Sequence, residues 1–232
     1  MTVATVTAPD VVQLMPSTSK SASTTLRSLY PRAARAFLHR DICLTHSLVT
    51  TAFALLTMAP TAHDALHEQR RKWEILRITL EVTVYATPPE DSAAIPAPLR
   101  SNAMQSGPSL ITSQHKRSLE LFTPASALKP DASFLPAPVL VTLAAASVRV
   151  HAPDVGRLMV EEWLARRDQT LYGTIDQGED GYEKVIDVYC TNVLPALDEW
   201  EYAAEFLQYE SELGRSSKEV RLYLFRIRTR TS

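Results

Sequence analysis

The sequence contains little glycine and cysteine and has no excess of positive charge. Each of these absences argues against a class of protein. Only 6 of its 232 residues are glycine, which favours helices over a fold rich in β-turns. Lysine and arginine number 24 against 26 acidic residues, so nothing in the overall charge indicates a nucleic-acid-binding protein. Cys43 and Cys190 form no CxxC pair and no disulfide framework, which indicates a reducing compartment and two core positions.

Long apolar runs are scarce as well, and one uncharged stretch stands out, ASFLPAPVLVTLAAASV at 132–148. A transmembrane helix needs about 20 consecutive apolar residues. Arg149 follows Pro138 closely, and Pro136 and Pro138 prevent a helix from extending backwards. The stretch therefore predicts a buried core helix rather than a membrane span.

The chain divides into two parts. Residues 1–28 are rich in serine and threonine and lack the apolar core of a secretory signal, so we predict a disordered leader. Residues 29–230 predict a helical-hairpin domain, which a proline-rich connector at 87–108 interrupts.

Apolar residues recur at helical spacing along most of 29–230. Pro31 is expected in the first turn of the first helix, and Asp41 is expected to cap the second. ITLEVTV at 78–84 alternates like a strand, but the longer helical spacing around it and the lack of a partner strand favour a helix. Further helices are predicted at 109–122, from Pro138 to Val150, from Asp154 to Arg167, from Asp180 or Gly181 to Pro195, from Asp198 to Leu213, and after Ser216.

About eight helices joined mostly by short turns predict an all-α fold. Their pairing favours an α-solenoid of antiparallel helical hairpins of the tetratricopeptide-like kind. The three tryptophans stand at helical spacings that predict packing between helices: Trp73, Trp163 and Trp200.

The motifs that could carry chemistry are weak. HRD at 39–41 resembles a kinase catalytic loop, but His46 stands where that loop needs asparagine. A solvated turn with a capping Asp41 explains the motif better. His63 and His67 are one helical turn apart, yet Asp64 replaces the glutamate of HExxH and no third ligand is evident. We therefore expect no catalysis, no metal site and no cofactor.

Two long segments carry a resemblance. LPAPVL and PDVGRLMVEEWLARR, followed by YEKVIDVYCTNVLPALDEWEYAAEFL, resemble the family of peroxisome assembly protein 26 and its fungal counterparts. LHRDICLTHSLVTTAFALL is similar to that family's first helical hairpin. The matching positions are Leu135, Pro136, Val139, Leu140, Pro153, Trp163, Leu164, Val193, Leu194, Pro195, Leu197, Ala204 and Glu205.

The resemblance implies a non-catalytic adaptor on the cytosolic face of the peroxisomal membrane. Such an adaptor holds a hexameric AAA-type ATPase, made of two peroxins, that extracts the ubiquitinated import receptor for another round of matrix-protein import. Family members usually end in a membrane anchor, whereas no segment after Leu213 is long and apolar enough to span. A cytosolic location is expected if the chain is complete without one. The alternative is a generic tetratricopeptide-like scaffold in another cytosolic pathway.

The same resemblance implies where the partner binds. In the family, the N-terminal half of the helical domain contacts the ATPase. On this chain that half comprises the first hairpin and the basic helix that follows it. The expected partner-binding residues are Arg35, His39, Arg40, Arg70 and Arg71.

Overall fold

The computed structural model describes residues 16–56, 65–89, 95–167 and 179–213. All regular structure in these ranges is helical, which confirms the predicted all-α fold of packed helical hairpins. A 3-10 turn at Ala132–Phe134 precedes α6, and a π-helical turn at Tyr189–Val193 joins α8 to α9. The α-helices are α1 (Pro16–Leu38), α2 (Ile42–Leu55), α3 (His67–Ala86), α4 (Ala97–Ala103), α5 (Gly107–Phe122), α6 (Ala137–Arg149), α7 (Pro153–Arg166), α8 (Glu179–Val188), α9 (Leu194–Ala196) and α10 (Trp200–Tyr209).

Helix α6 forms the centre of the fold, as the uncharged stretch predicts. It packs against α3, α5, α7 and α8, and Leu140 and Leu143 on it are fully buried. The fully buried Trp163 of α7 donates its indole N–H to the carbonyl oxygen of Leu135 at 3.0 Å, which fixes α7 to the entry of α6. None of the described helices combines the length and the apolar character that crossing a bilayer requires.

Helix α3 explains its own strand-like sequence pattern. Ile78 and Val82 face the main core around α6. Leu80 and Val84 pack in a separate small cluster with Ile95 and with Leu99 of α4. Each pair is four residues apart and so occupies one helix face. Because two opposite faces of α3 are buried, the two pairs interleave in the sequence as an alternation, and the helix prediction is confirmed.

Three corners between helices have the same backbone conformation and the same pattern of hydrogen bonds. Arg40, His151 and Asp198 have φ angles of 59°, 58° and 62°. At each corner the N–H of this residue bonds the carbonyl three residues back, and the next N–H bonds the carbonyl five residues back. This is the Schellman ending of a helix, in which glycine usually takes the left-handed position. None of the described glycines has a positive φ, so a chain poor in glycine makes these corners with other residues.

Several predicted boundaries are wrong at the N-terminal end. Helix α1 begins at Pro16, so residues 16–28 belong to it rather than to the predicted leader, while residues 1–15 lie outside the described part. Pro31 lies inside α1 and not in its first turn. Proline removes one backbone bond, but packing of the fully buried Leu26 and Ala33 on either side holds both halves of the helix.

Other boundaries also shift. The predicted connector contains α4, whose buried Leu99 packs with Ile95 against α3. The helix before Pro195 continues through that proline as α9, and in the π-helical turn before it the Leu194 N–H bonds the carbonyl of Tyr189. Helix α10 ends at Tyr209, before the predicted Leu213. Cys190 is buried as predicted but Cys43 is exposed. The predicted last helix after Ser216 lies outside the described residues.

Candidate interaction site at the corner of the first hairpin

The corner between α1 and α2 is held by local hydrogen bonds that the HRD sequence supplies. Asp41 caps α2 by accepting from the backbone N–H of Leu44 at 2.9 Å. Thr45 returns a hydroxyl bond to the carbonyl oxygen of Asp41 at 2.6 Å. Arg40 occupies the left-handed position between the two helices. The predicted capping role of Asp41 is confirmed, and the corner is a fixed turn.

Exposed side chains of unlike character meet at this corner. Leu38 is 77% exposed, although it ends a helix in which Leu26 and Ala33 are fully buried. His39, Arg40 and Arg35 are also exposed. The guanidinium Nε of Arg35 donates to the carbonyl oxygen of Pro31 at 3.2 Å. The corner therefore presents one large apolar side chain among cationic or titratable ones.

A groove of about 570 Å³ opens beside the corner, and we refer to it as the corner groove. Its volume lies within the usual range for binding pockets, roughly 300–1,000 Å³. The α1–α2 corner provides one wall: Phe37, Leu38, Arg40, Ile42 and Thr45.

The end of α3 and the residues after it provide the opposite wall, and Arg149 of α6 also lines the groove. Leu80 and Val84 are 2% and 1% exposed, so they belong to a rigid apolar floor. Thr83, Thr87, Pro88 and Pro89 complete this wall.

Three of the five predicted partner-binding residues lie at this corner: Arg35, His39 and Arg40. Of these, Arg40 lines the groove itself. Two lining residues escaped the sequence analysis as site residues. Leu38 has the helical spacing of a core position, and Arg149 is far away in the sequence, so no spacing connects it to the first hairpin.

The other two predicted residues lie elsewhere. Arg70 is only 1% exposed, so its prediction as a surface contact is wrong. Arg71 is partly exposed and forms an ion pair with Glu68 at 2.5 Å. Arg70 and Val84 are separated by roughly 20 Å along α3 at 1.5 Å per residue. The basic start of α3 is therefore not part of the corner groove.

Apart from the corner groove, a cluster of charged and polar side chains lies buried between α3 and α5. The Glu74 side chain is 0% exposed and pairs with Arg77 at 2.6 Å. The hydroxyl of Ser118 donates to the same carboxylate at 2.6 Å. Two helical turns further along α3, Glu81 accepts hydrogen bonds from Gln114 at 3.0 Å and from Arg117 at 2.5 Å. Every charge here has a partner, which is the arrangement of a structural seam between helices.

Two histidines next to this region have shifted titration. Burial lowers the pKa of His115, and the nearby Glu162 carboxylate opposes part of that effect. Burial likewise lowers the pKa of His46, against the opposing charge of Glu81. Both side chains therefore favour the neutral form more than free histidine does.

Little in the described residues indicates bond-making chemistry. Within 16–56, 65–89, 95–167 and 179–213, no three or more His, Cys, Asp or Glu side chains gather as metal ligands. His63, the first residue of the His63–His67 pair, lies outside those ranges. The corner groove combines an apolar floor with two guanidinium groups, which suits binding of a partner by apolar and ionic contacts.

Comparisons with known proteins add no relative. No protein-family model, no curated protein and no solved structure matches the chain.

Proposed function

We propose that the protein is a non-catalytic adaptor that recruits a peroxisomal AAA ATPase complex to the peroxisomal membrane. In this role it supports recycling of the import receptor and thereby matrix-protein import. The observation that carries the proposal is the corner groove, with Leu38 at its rim 77% exposed. A formed groove with an apolar lining and a few polar groups is the usual form of a binding site.

The identity of the partner is supported by the resemblance of the sequence motifs to the peroxisome assembly protein 26 family. That family contacts its ATPase through the N-terminal half of the helical domain. The corner groove is formed largely by the first hairpin and the end of α3, which belong to that half. The groove and the resemblance thus indicate the same region of the chain.

Affinity purification of the tagged full chain from cells tests the proposal. Wild-type protein is expected to recover both ATPase peroxins, and L38D is expected to lose them. L128D is the matched control, because Leu128 is 101% exposed and is not among the groove residues. Failure of folded wild-type protein to recover the ATPase would contradict the proposal.

Deletion of the protein separates the proposal from a scaffold role in another cytosolic pathway. The proposed function predicts that a fluorescent matrix protein stays in the cytosol after deletion. A scaffold of another pathway predicts normal import. Re-expression of the wild-type chain should restore import, and L38D should not.

A further inference from the structure

We propose that the corner groove selects a particular chemistry, namely a peptide segment that carries a large apolar side chain flanked by carboxylates. This inference rests on the proposed role of the groove as the partner-binding site. It goes further by defining which residues of a partner the groove recognises.

The charged side chains that line the groove, among the described residues, are both arginines. Arg40 and Arg149 both line it, and both are exposed. Among the residues that the structure describes, the lining contains no carboxylate, and neither arginine forms an ion pair with an Asp or Glu side chain. Two guanidinium groups that share one groove repel each other, and an acidic ligand would relieve this repulsion.

The apolar part of the groove lies between these charges. Leu80 and Val84 form a floor that water hardly reaches, while Leu38 at the rim is mostly in contact with water. An apolar side chain entering the groove would cover Leu38 and contact that floor. The chemistry of the groove thus has an apolar centre with positive charge at its edges, which is complementary to an acidic amphipathic segment.

The backbone fixes where one of these charges stands. Arg40 has a φ of 59°, a conformation that costs free energy for any residue with a Cβ. Its N–H bonds the carbonyl of Phe37 at 3.0 Å, and the following N–H bonds the carbonyl of Ala36 at 2.9 Å. His151 and Asp198 adopt the same conformation at two other corners, so the φ of Arg40 sets the position of its side chain at the rim and is not itself evidence of binding.

A purely structural role for the arginines makes a different prediction. Helices α1, α3 and α6 all end at the groove, and cations stabilise the carboxyl ends of helices. If Arg149 serves only its own helix, R149Q should lower stability and leave binding unchanged. If it recognises a partner, R149Q should lower affinity with little effect on the unfolding midpoint.

Selection from a phage library of random linear peptides tests the inference on the full chain. The wild-type protein is expected to enrich peptides with Asp or Glu on both sides of Leu, Ile, Phe or Trp. The affinity of a selected peptide should fall about tenfold for R149Q and for R40G, since each loses one charge-assisted contact. L38S should weaken the same peptide, and added salt should weaken binding to the wild type.

Two controls match these variants. R32Q removes an exposed arginine of α1 that does not line the groove, and D198G makes the same backbone change as R40G at another corner. Both should bind the selected peptide as the wild type does. Enrichment of basic peptides, failure to enrich any peptide, or equal affinity for R40G, R149Q and wild type would overturn the inference. Because the selection uses no ATPase, its result stands apart from the affinity purification that tests the proposed function.

Discussion

Gly107 at the start of α5 lies directly against the backbone of Val150 at the end of α6. A Cβ placed on Gly107 would stand 2.2 Å from the carbonyl oxygen of Val150, closer than real Cβ atoms approach any atom. This residue therefore sets the distance between α5 and the central helix. Here glycine is needed for close approach, in contrast to the hairpin corners, where other residues replace it.

The variant G107A is expected to destabilise the fold by roughly 1–3 kcal/mol, because backbone must move to admit the methyl group. Urea unfolding followed by circular dichroism measures the change. T112A is the control, since Thr112 is exposed on the same helix and alanine favours helix. A midpoint for G107A equal to that of T112A would contradict this role.

The buried seam between α3 and α5 predicts an unequal cost for breaking and for replacing its ion pair. R77M leaves the Glu74 carboxylate, 0% exposed, without its cation, and should cost about 3 kcal/mol. The double variant E74M/R77M removes both charges and should recover much of that loss. K72M is the control, because Lys72 pairs with Glu68 on the exposed side of α3 and should cost less than about 1 kcal/mol. A double variant less stable than R77M would refute the interpretation.

Stability should decrease as the pH falls through the ordinary histidine range. The pKa values of His115 and His46 are lowered by burial. Near pH 6.5 the unfolded chain therefore binds more protons than the folded one, so the free energy of unfolding is highest above that pH and declines below it. Each histidine contributes a slope of at most about 1.4 kcal/mol per pH unit.

Urea unfolding between pH 7.5 and pH 5 measures this slope. Against the opposing effect of burial, hydrogen bonds and ion pairs lower the pKa values of Glu68 and Asp131, so these carboxylates titrate below that range. H115Q and H46Q should each reduce the decline, and H46Q/H115Q should show the flattest profile. A double variant with the wild-type slope would show that other groups cause the pH dependence.

The left-handed corners predict stabilising substitutions. His151 and Asp198 have φ angles of 58° and 62°, where a residue with a Cβ loses about 1–2 kcal/mol relative to glycine. The greater freedom of glycine in the unfolded chain reduces this gain in stability by about 0.5–1 kcal/mol. H151G and D198G should therefore raise stability by about 0.5–1 kcal/mol in urea unfolding. Destabilisation by both would contradict the strain.

The sequence predicts the fold best where local signals and burial agree. Pro138 and Pro153 mark the first turns of α6 and α7, and Asp41 caps α2 as expected. It fails at α1, because a segment rich in serine and threonine has low intrinsic helix preference, and packing of Leu26 and Ala33 outweighs that preference. Propensity is local, whereas this packing depends on α2 and α3.

The candidate site is predicted only in part for the same reason. Arg40 is found because it belongs to the first hairpin. Arg149 lies in the same groove as Arg40 only because α6 packs on α3. Arg70 is buried by the packing of α3. No pattern in a single sequence encodes either event. The groove is a property of the tertiary arrangement.

We propose that the protein works by offering the corner groove to a partner. Photo-crosslinking in cells tests this contact, with benzoylphenylalanine placed at position 38 or, as control, at position 128, both of them highly exposed. Position 38 should capture an ATPase peroxin, and position 128 should not. Equal capture at both positions, or capture at neither from folded protein, would contradict it.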